Sequence, residues 1–114
     1  MQVQYLEIVT KDVNGVCATY ENVSGVKFSE PVPGLGNART ATMPDGGMLG
    51  VRAPMRDDEA PVVRPYWLVD DLEGAFKKAV KDGAEPAHPP YEIAGIGKFA
   101  IYIQGGNDHG LWQK

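Results

Sequence analysis

Few side chains in this 114-residue chain could carry chemistry by themselves. There is one cysteine, Cys17, and there are two histidines, His88 and His109. A lone cysteine makes no internal disulfide and builds no thiolate metal cluster. Cys17 falls on the apolar series Val13, Val16, Cys17, Tyr20 and Val23, which recurs at helical spacing, so it reads as core with no histidine placed to activate it. His88 lies in the proline-bounded stretch 86–90, which reads as a loop. His109 falls on the helix side or the rim of the last strand by alternation. Both read as structural or solvated. The net charge of −4 gives no basic footprint for nucleic acid or an anionic membrane. The N-terminal residues lack a signal-like pattern, and no apolar run has the length of a membrane span, so a cytoplasmic location is expected.

The elements that must position these groups are legible from periodicity and punctuation. Residues 3–10 are rich in β-branched and aromatic side chains and read as a strand. Asp12 fits a helix N-cap, and Gly25 fits the stop. Three strand candidates follow, at 26–29, 37–43 and 48–52, the last two joined by the hairpin signal Pro44-Asp45-Gly46-Gly47. Residues 54–61, polar and bounded by prolines, read as a linker. A strand at 62–69 then ends in Asp70-Asp71, a second N-cap. Behind it Leu72, Ala75, Phe76, Ala79 and Val80 form a helical stripe. Lys77, Lys78 and Lys81 suit the helix C-terminal half, and Gly83 its end. A strand at 98–104, a turn at 105–108 and a strand at 109–113 complete the chain.

The second half repeats the first. Asp12-Val13-Asn14-Gly15 falls on Asp71-Leu72-Glu73-Gly74, the two apolar stripes coincide, and the glycine-rich hairpin before Met48 falls on that before Asp108. One domain spanning 1–114 is therefore expected, with βαβββ modules at 1–53 and 62–114 around the linker 54–61. Two such halves related by a pseudo-two-fold axis form an α+β fold, a curved mixed sheet with its helices on one side and a concave cavity on the other. A cavity over a sheet is more often a site for a small molecule than for a protein.

Paired βαβββ modules, with Val69-Asp70-Asp71 ahead of an apolar helix and Gly110-Leu111-Trp112-Gln113 at the close, resemble the vicinal oxygen chelate superfamily of glyoxalases, bleomycin-resistance proteins and extradiol dioxygenases. In its metal-using members the resemblance places ligands on the first and last strand of each module. Those positions here are Tyr5, Gly50, Arg64 and Gly110. A neutral tyrosine, a guanidinium and two glycines do not make such a site, so neither a metal nor another cofactor is expected.

Alternation then puts Tyr5, Glu7, Met48, Arg52, Arg64, Tyr66 and Trp112 on the cavity side as candidate ligand-binding residues. Glu7 could serve as a general base or anchor a cationic ligand; the plainer reading is an ion pair with Arg64 or Arg52 that holds the modules together. Arg64 could clamp a carboxylate or phosphate. Trp112, Tyr5 and Tyr66 could stack on a planar ligand or simply fill the core. The function expected is metal-independent binding of a small molecule, by sequestration or sensing. The alternatives are an isomerase or lyase with Glu7 as catalytic base, and a structural or interaction protein with a filled cavity. A homodimer is expected from the resemblance.

Overall fold

The two aspartates read as N-caps both cap. In the computed structural model, which describes residues 1–114, Asp12 accepts from the backbone N–H of Gly15 and Asp71 from that of Gly74. At both positions a Cβ on the glycine would run into the capping carboxylate. The caps open helices α1 (Val13–Ser24) and α2 (Leu72–Lys81). Seven strands complete an α+β fold: β1 (Val3–Val9), β2 (Arg39–Thr42), β3 (Met48–Arg52), β4 (Val62–Leu68), β5 (Glu85–Ile93), β6 (Gly97–Gln104) and β7 (Asn107–Gln113). No helix is long and apolar enough to cross a membrane. The chain divides into two units, Tyr5–Val63, and Arg64–Lys114 together with Met1–Gln4.

In the first unit the strands run β2-β3-β1. The hairpin at Asp45-Gly46 makes β2 and β3 antiparallel, with Gly46 at φ 91°. β3 lies parallel to β1, with Tyr5 opposite Met48, Glu7 opposite Gly50 and Val9 opposite Arg52. A parallel pair needs a long crossover, and α1 supplies it. The core is built from Ile8, Cys17, Leu49 and Val51, with Leu6, Val13, Val16 and Tyr20 against it. Val23, the last residue of the expected stripe, is instead 79% exposed, in the final turn before Gly25 leaves the helix at φ 73°.

The first unit also departs from the expected element count, because residues 26–29 form no strand. Ser29 takes the place of a ladder. Its N–H bonds the Thr40 carbonyl at 2.7 Å, while its hydroxyl accepts from the Thr40 N–H. Pro31 and Pro33, which have no N–H to donate, limit the pairing to one further isolated bridge, between Val32 and Ala38.

In the second unit the order is β4-β7-β6-β5, with β4 parallel to β7 and the other pairs antiparallel. Leu72, Ala100 and Leu111 form its core, with Trp67, Val69, Ala75, Phe76 and Tyr102 packed on it. Two sequence expectations need correction. Residues 86–90 are not a loop; they belong to β5, which carries register shifts between Pro86 and His88 and between His88 and Tyr91. Prolines are tolerated in such an end strand, where one side of the backbone has no ladder to lose. The turn expected at 105–108 is shorter. Gly105 and Gly106, at φ 61° and 78°, make the whole connection, and Asn107 already pairs with Gln104. Two successive positive φ angles give the hairpin twist that glycines supply without strain.

Because each cap makes the same bond to the N–H three residues on, Asp12→Ala and Asp71→Ala should each lower stability by about 1 kcal/mol. Urea unfolding checks this: the midpoint should fall with an unchanged slope in both variants.

Candidate functional site

Each unit presents one sheet face to its helix and one away from it. In the first unit Leu6, Ile8, Leu49 and Val51 take the helix side. Strand alternation therefore sets Tyr5, Glu7, Met48, Gly50 and Arg52 together on the opposite face. The ring of Tyr5 lies over Gly50, so closely that a Cβ there would fall on the tyrosine hydroxyl. The space beside Gly50 is thus filled by Tyr5, itself only 3% exposed. Burial pushes the Tyr5 hydroxyl pKa up, Glu7 adds to the rise, and Arg52 opposes it.

Arg52 is the centre of this face. It is buried, and its Nε donates to Glu7 Oε2 at 2.7 Å. Its Nη1 and Nη2 donate to the two carboxylate oxygens of Glu59, at 3.0 and 2.8 Å, a two-pronged pairing, and Nη1 also reaches the Ala53 carbonyl. Burial disfavours the guanidinium charge, but the hydrogen bonds to Glu59 and Glu7 outweigh it and hold the pKa above its ordinary value. The bond from Arg52 holds the Glu59 carboxyl down at about 2 against the opposing effect of burial. Glu59 also accepts from the Met55 N–H at 2.7 Å. The Glu7–Arg52 pair lies within one unit, so this pair is not a staple between modules.

In the second unit Trp67, Ala100, Tyr102 and Leu111 take the helix side. Arg64, Tyr66, Phe99 and Trp112 are left on the other face. The Tyr66 ring packs edge-on to Trp112 and Phe99, with centroids 6.0 and 6.1 Å away. His88 lies over Phe99 at 4.7 Å, and Tyr91 meets both from the end strand. Exposure rises along this series, from 5% at Tyr66 and Trp112 to 59% at Tyr91. The Tyr66 ring covers Gly110 as Tyr5 covers Gly50. Arg64 donates from Nε and Nη2 to Asp108 Oδ2, at 3.0 and 2.8 Å.

The structure thus brings Tyr5, Glu7, Met48 and Arg52 together in the first unit, and Arg64, Tyr66 and Trp112 together in the second. Sequence reasoning named Glu59, Asp108, Phe99 and Tyr91 as candidates for no site, and read His88 as structural or solvated. Phe99 was findable, since alternation from Ala100 and Tyr102 puts it on the aromatic face. Glu59 carried no local signal, being one acid in a polar run. Cys17 is fully buried, which pushes its thiol pKa up, and it lies in the core. The residues do not fit the divalent metal that the fold family's enzymes use. A buried tyrosine ring covers Gly50, another covers Gly110, Arg64 is cationic, and no three His, Cys, Asp or Glu side chains converge.

No protein-family model matches the chain. It is 25% identical, over 96% of its length, to "Putative glyoxylase CFP32" of Mycobacterium bovis and to the protein of the same name from Mycobacterium tuberculosis. It spans only 44% of the length of those proteins. Among solved structures, methylmalonyl-CoA epimerase from Streptomyces coelicolor, as its Q60A variant with 2-nitronate-propionyl-CoA, superposes with a TM-score of 0.73 at 15% identity, covering 100% of this chain and 97% of that one. The Mycobacterium tuberculosis epimerase gives 0.75 at 13% identity, covering 96% and 85%. The hypothetical protein BH1468 from Bacillus halodurans gives 0.75 at 12%, covering 99% and 94%. The chain has the glyoxalase-like fold of the vicinal oxygen chelate superfamily.

Two expected outcomes follow from the geometry. Gly50→Ala should cost about 1–3 kcal/mol by overpacking. The cost should shrink in a Tyr5→Phe background, where the hydroxyl is gone, and a double-mutant cycle in urea reads the coupling. For Glu59, the folded pKa of about 2 lies below the ordinary 4.5. Its contribution is therefore complete above the higher value and is lost as pH falls toward the lower one. The gap in Tm between the wild type and Glu59→Gln should stay constant at neutral pH and close on acidification across that window; a gap unchanged to pH about 2 contradicts the assignment.

Proposed function

We propose that this chain is a metal-independent small-molecule-binding protein of the glyoxalase and bleomycin-resistance type, which sequesters or senses a planar aromatic compound. One observation carries the reading: the graded aromatic face of the second unit, running from buried Tyr66 and Trp112 through Phe99 and His88 to exposed Tyr91. A face of rings already packed edge-on offers a rigid surface to which a further ring adds with little ordering cost. Arg64, steadied by Asp108, stands on the same side and supplies a polar group to orient the ligand. In the first unit Tyr5, Glu7, Met48 and Arg52 line a sheet face of their own rather than react.

The epimerases that share the fold favour the alternative of an isomerase or lyase with Glu7 as base, but the geometry supports it less well. Glu7 Oε2 is 2.7 Å from the Arg52 Nε, where it serves the pairing of a buried cation. A filled interior with a structural role is the outcome that failure of ligand binding would favour. A cytoplasmic location and a homodimeric assembly belong to the same proposal.

Titration with a panel of naphthols, nitrobenzenes and aromatic aldehydes tests it, followed by tryptophan fluorescence and by the side-chain resonances of Phe99, His88 and Tyr91. At least one compound should quench fluorescence and shift those resonances together, and Trp112→Phe should weaken its binding by about three- to tenfold. Absence of any shift at millimolar ligand would count against binding at this face.

A further inference from the structure

The segment read as a linker does more than connect. Residues 54–61 contain no strand or helix, yet they fold back onto the first unit through Glu59. The Glu59 carboxylate fills both prongs of the Arg52 guanidinium and accepts the Met55 N–H. Behind it, the Met55 methyl and the Arg52 side chain close over Gly36, a residue at φ 66° where any Cβ would meet that methyl. The Arg52 fork therefore sits in a formed cradle: buried, oriented from one side by Glu7, and shaped to hold a planar, singly charged carboxylate. The group holding that place belongs to an irregular segment rather than to a strand.

We propose that the Arg52 fork is a carboxylate-binding site and that Glu59 is its built-in competitor, so that a small carboxylate ligand displaces Glu59 and releases the strap 54–61. The fork lies in the first unit and the aromatic face in the second, so the inference does not rest on that face binding anything. Charge favours a carboxylate over a phosphate dianion, because Glu7 already stands against the same guanidinium and would repel a second negative charge on the ligand. Lys11, Arg56 and Asp57 line a cleft at Pro54 and Met55 of the strap, and Asp58 pairs with the exposed Arg56. Displacing one carboxylate by another leaves the Arg52 fork paired before and after the exchange, and Glu7 stays on its Nε, as a buried cation requires. The competitor is intramolecular, so it lowers the apparent affinity for the external ligand by the fraction of time the fork is open.

The test uses benzoate as the probe, with inorganic phosphate and sodium chloride at matched ionic strength. Benzoate should bind Glu59→Gln about tenfold more tightly than the wild type, since a neutral amide competes weakly for the fork. In the wild-type protein, benzoate should also speed hydrogen exchange at the Met55 amide, whose acceptor is Glu59, while the amides of α1 stay unchanged. The wild-type measurement decides the matter if Glu59→Gln fails to fold. Equal benzoate affinity in the two proteins, or a Met55 amide that benzoate leaves unchanged, would overturn the proposal and leave Glu59 as a fixed staple. Acceleration by phosphate but not by benzoate would overturn the ligand class.

Discussion

A guanidinium taken out of water has to be paired, and the first unit is arranged around that requirement. Arg52 ends β3 and is only 5% exposed. Leaving such a charge uncompensated costs about 3–5 kcal/mol. Three parts of the unit answer to it: β1 contributes Glu7, the segment after β3 contributes Glu59, and the turn at Gly36 keeps clear of the guanidinium's flank. The parallel register of β1 and β3 matters for the same reason. With Val9 opposite Arg52, Glu7 lies one pleat back on the same face, within reach of the Nε. A slip of one residue would turn every side chain of β1 to the other face and separate the pair.

The second unit uses an equivalent frame for different chemistry. Both units have a capped helix crossing between parallel strands, and both have a glycine on the last strand opposite a buried side chain on the first. Glu7 stands opposite Gly50, and Tyr66 stands opposite Gly110. The acid leads to a charged face and the tyrosine to an aromatic one. The glycine works differently in the two cases. Gly110 makes room for the ring directly opposite it, whereas Gly50 makes room for Tyr5, whose Cα partner is Met48. Two halves of similar backbone thus diverge by what they place next to the glycine.

Much of the fold was legible in sequence because its signals are local. An aspartate three residues before a glycine marks each helix start, and Asp-Gly and Gly-Gly mark the hairpins. What failed depended on partners distant in sequence. Residues 26–29 have a strand-like composition, but a strand exists only if another backbone pairs with it, and Ser29 meets β2 largely through its side chain. The prolines of 86–90 suggested a loop because propensity does not reveal that β5 is an end strand. The faces of β1 and β4 followed from alternation, so Tyr5, Glu7, Arg64 and Tyr66 could be placed. Glu59 could not, since its significance comes entirely from Arg52, and nothing in an irregular polar stretch shows which acid turns inward.

The same distinction decides how far likeness to the epimerases reaches. Superposition at 13–15% identity reports the path of the backbone, which caps, apolar stripes and glycine turns can specify with many different side chains. Chemistry is specified by the few positions facing away from the helices, and there this chain has its own residues. Buried tyrosine rings lie over both glycines, one unit holds a doubly paired arginine, and the other holds a line of rings. In the first unit the buried charge is already neutralised by its own acids, and in the second the depth of the face is already occupied by its own rings. A ligand would have to compete with what is there or add to the exposed end of it. The first course is open at Glu59, on a segment without regular structure, and the second at Tyr91, on an end strand.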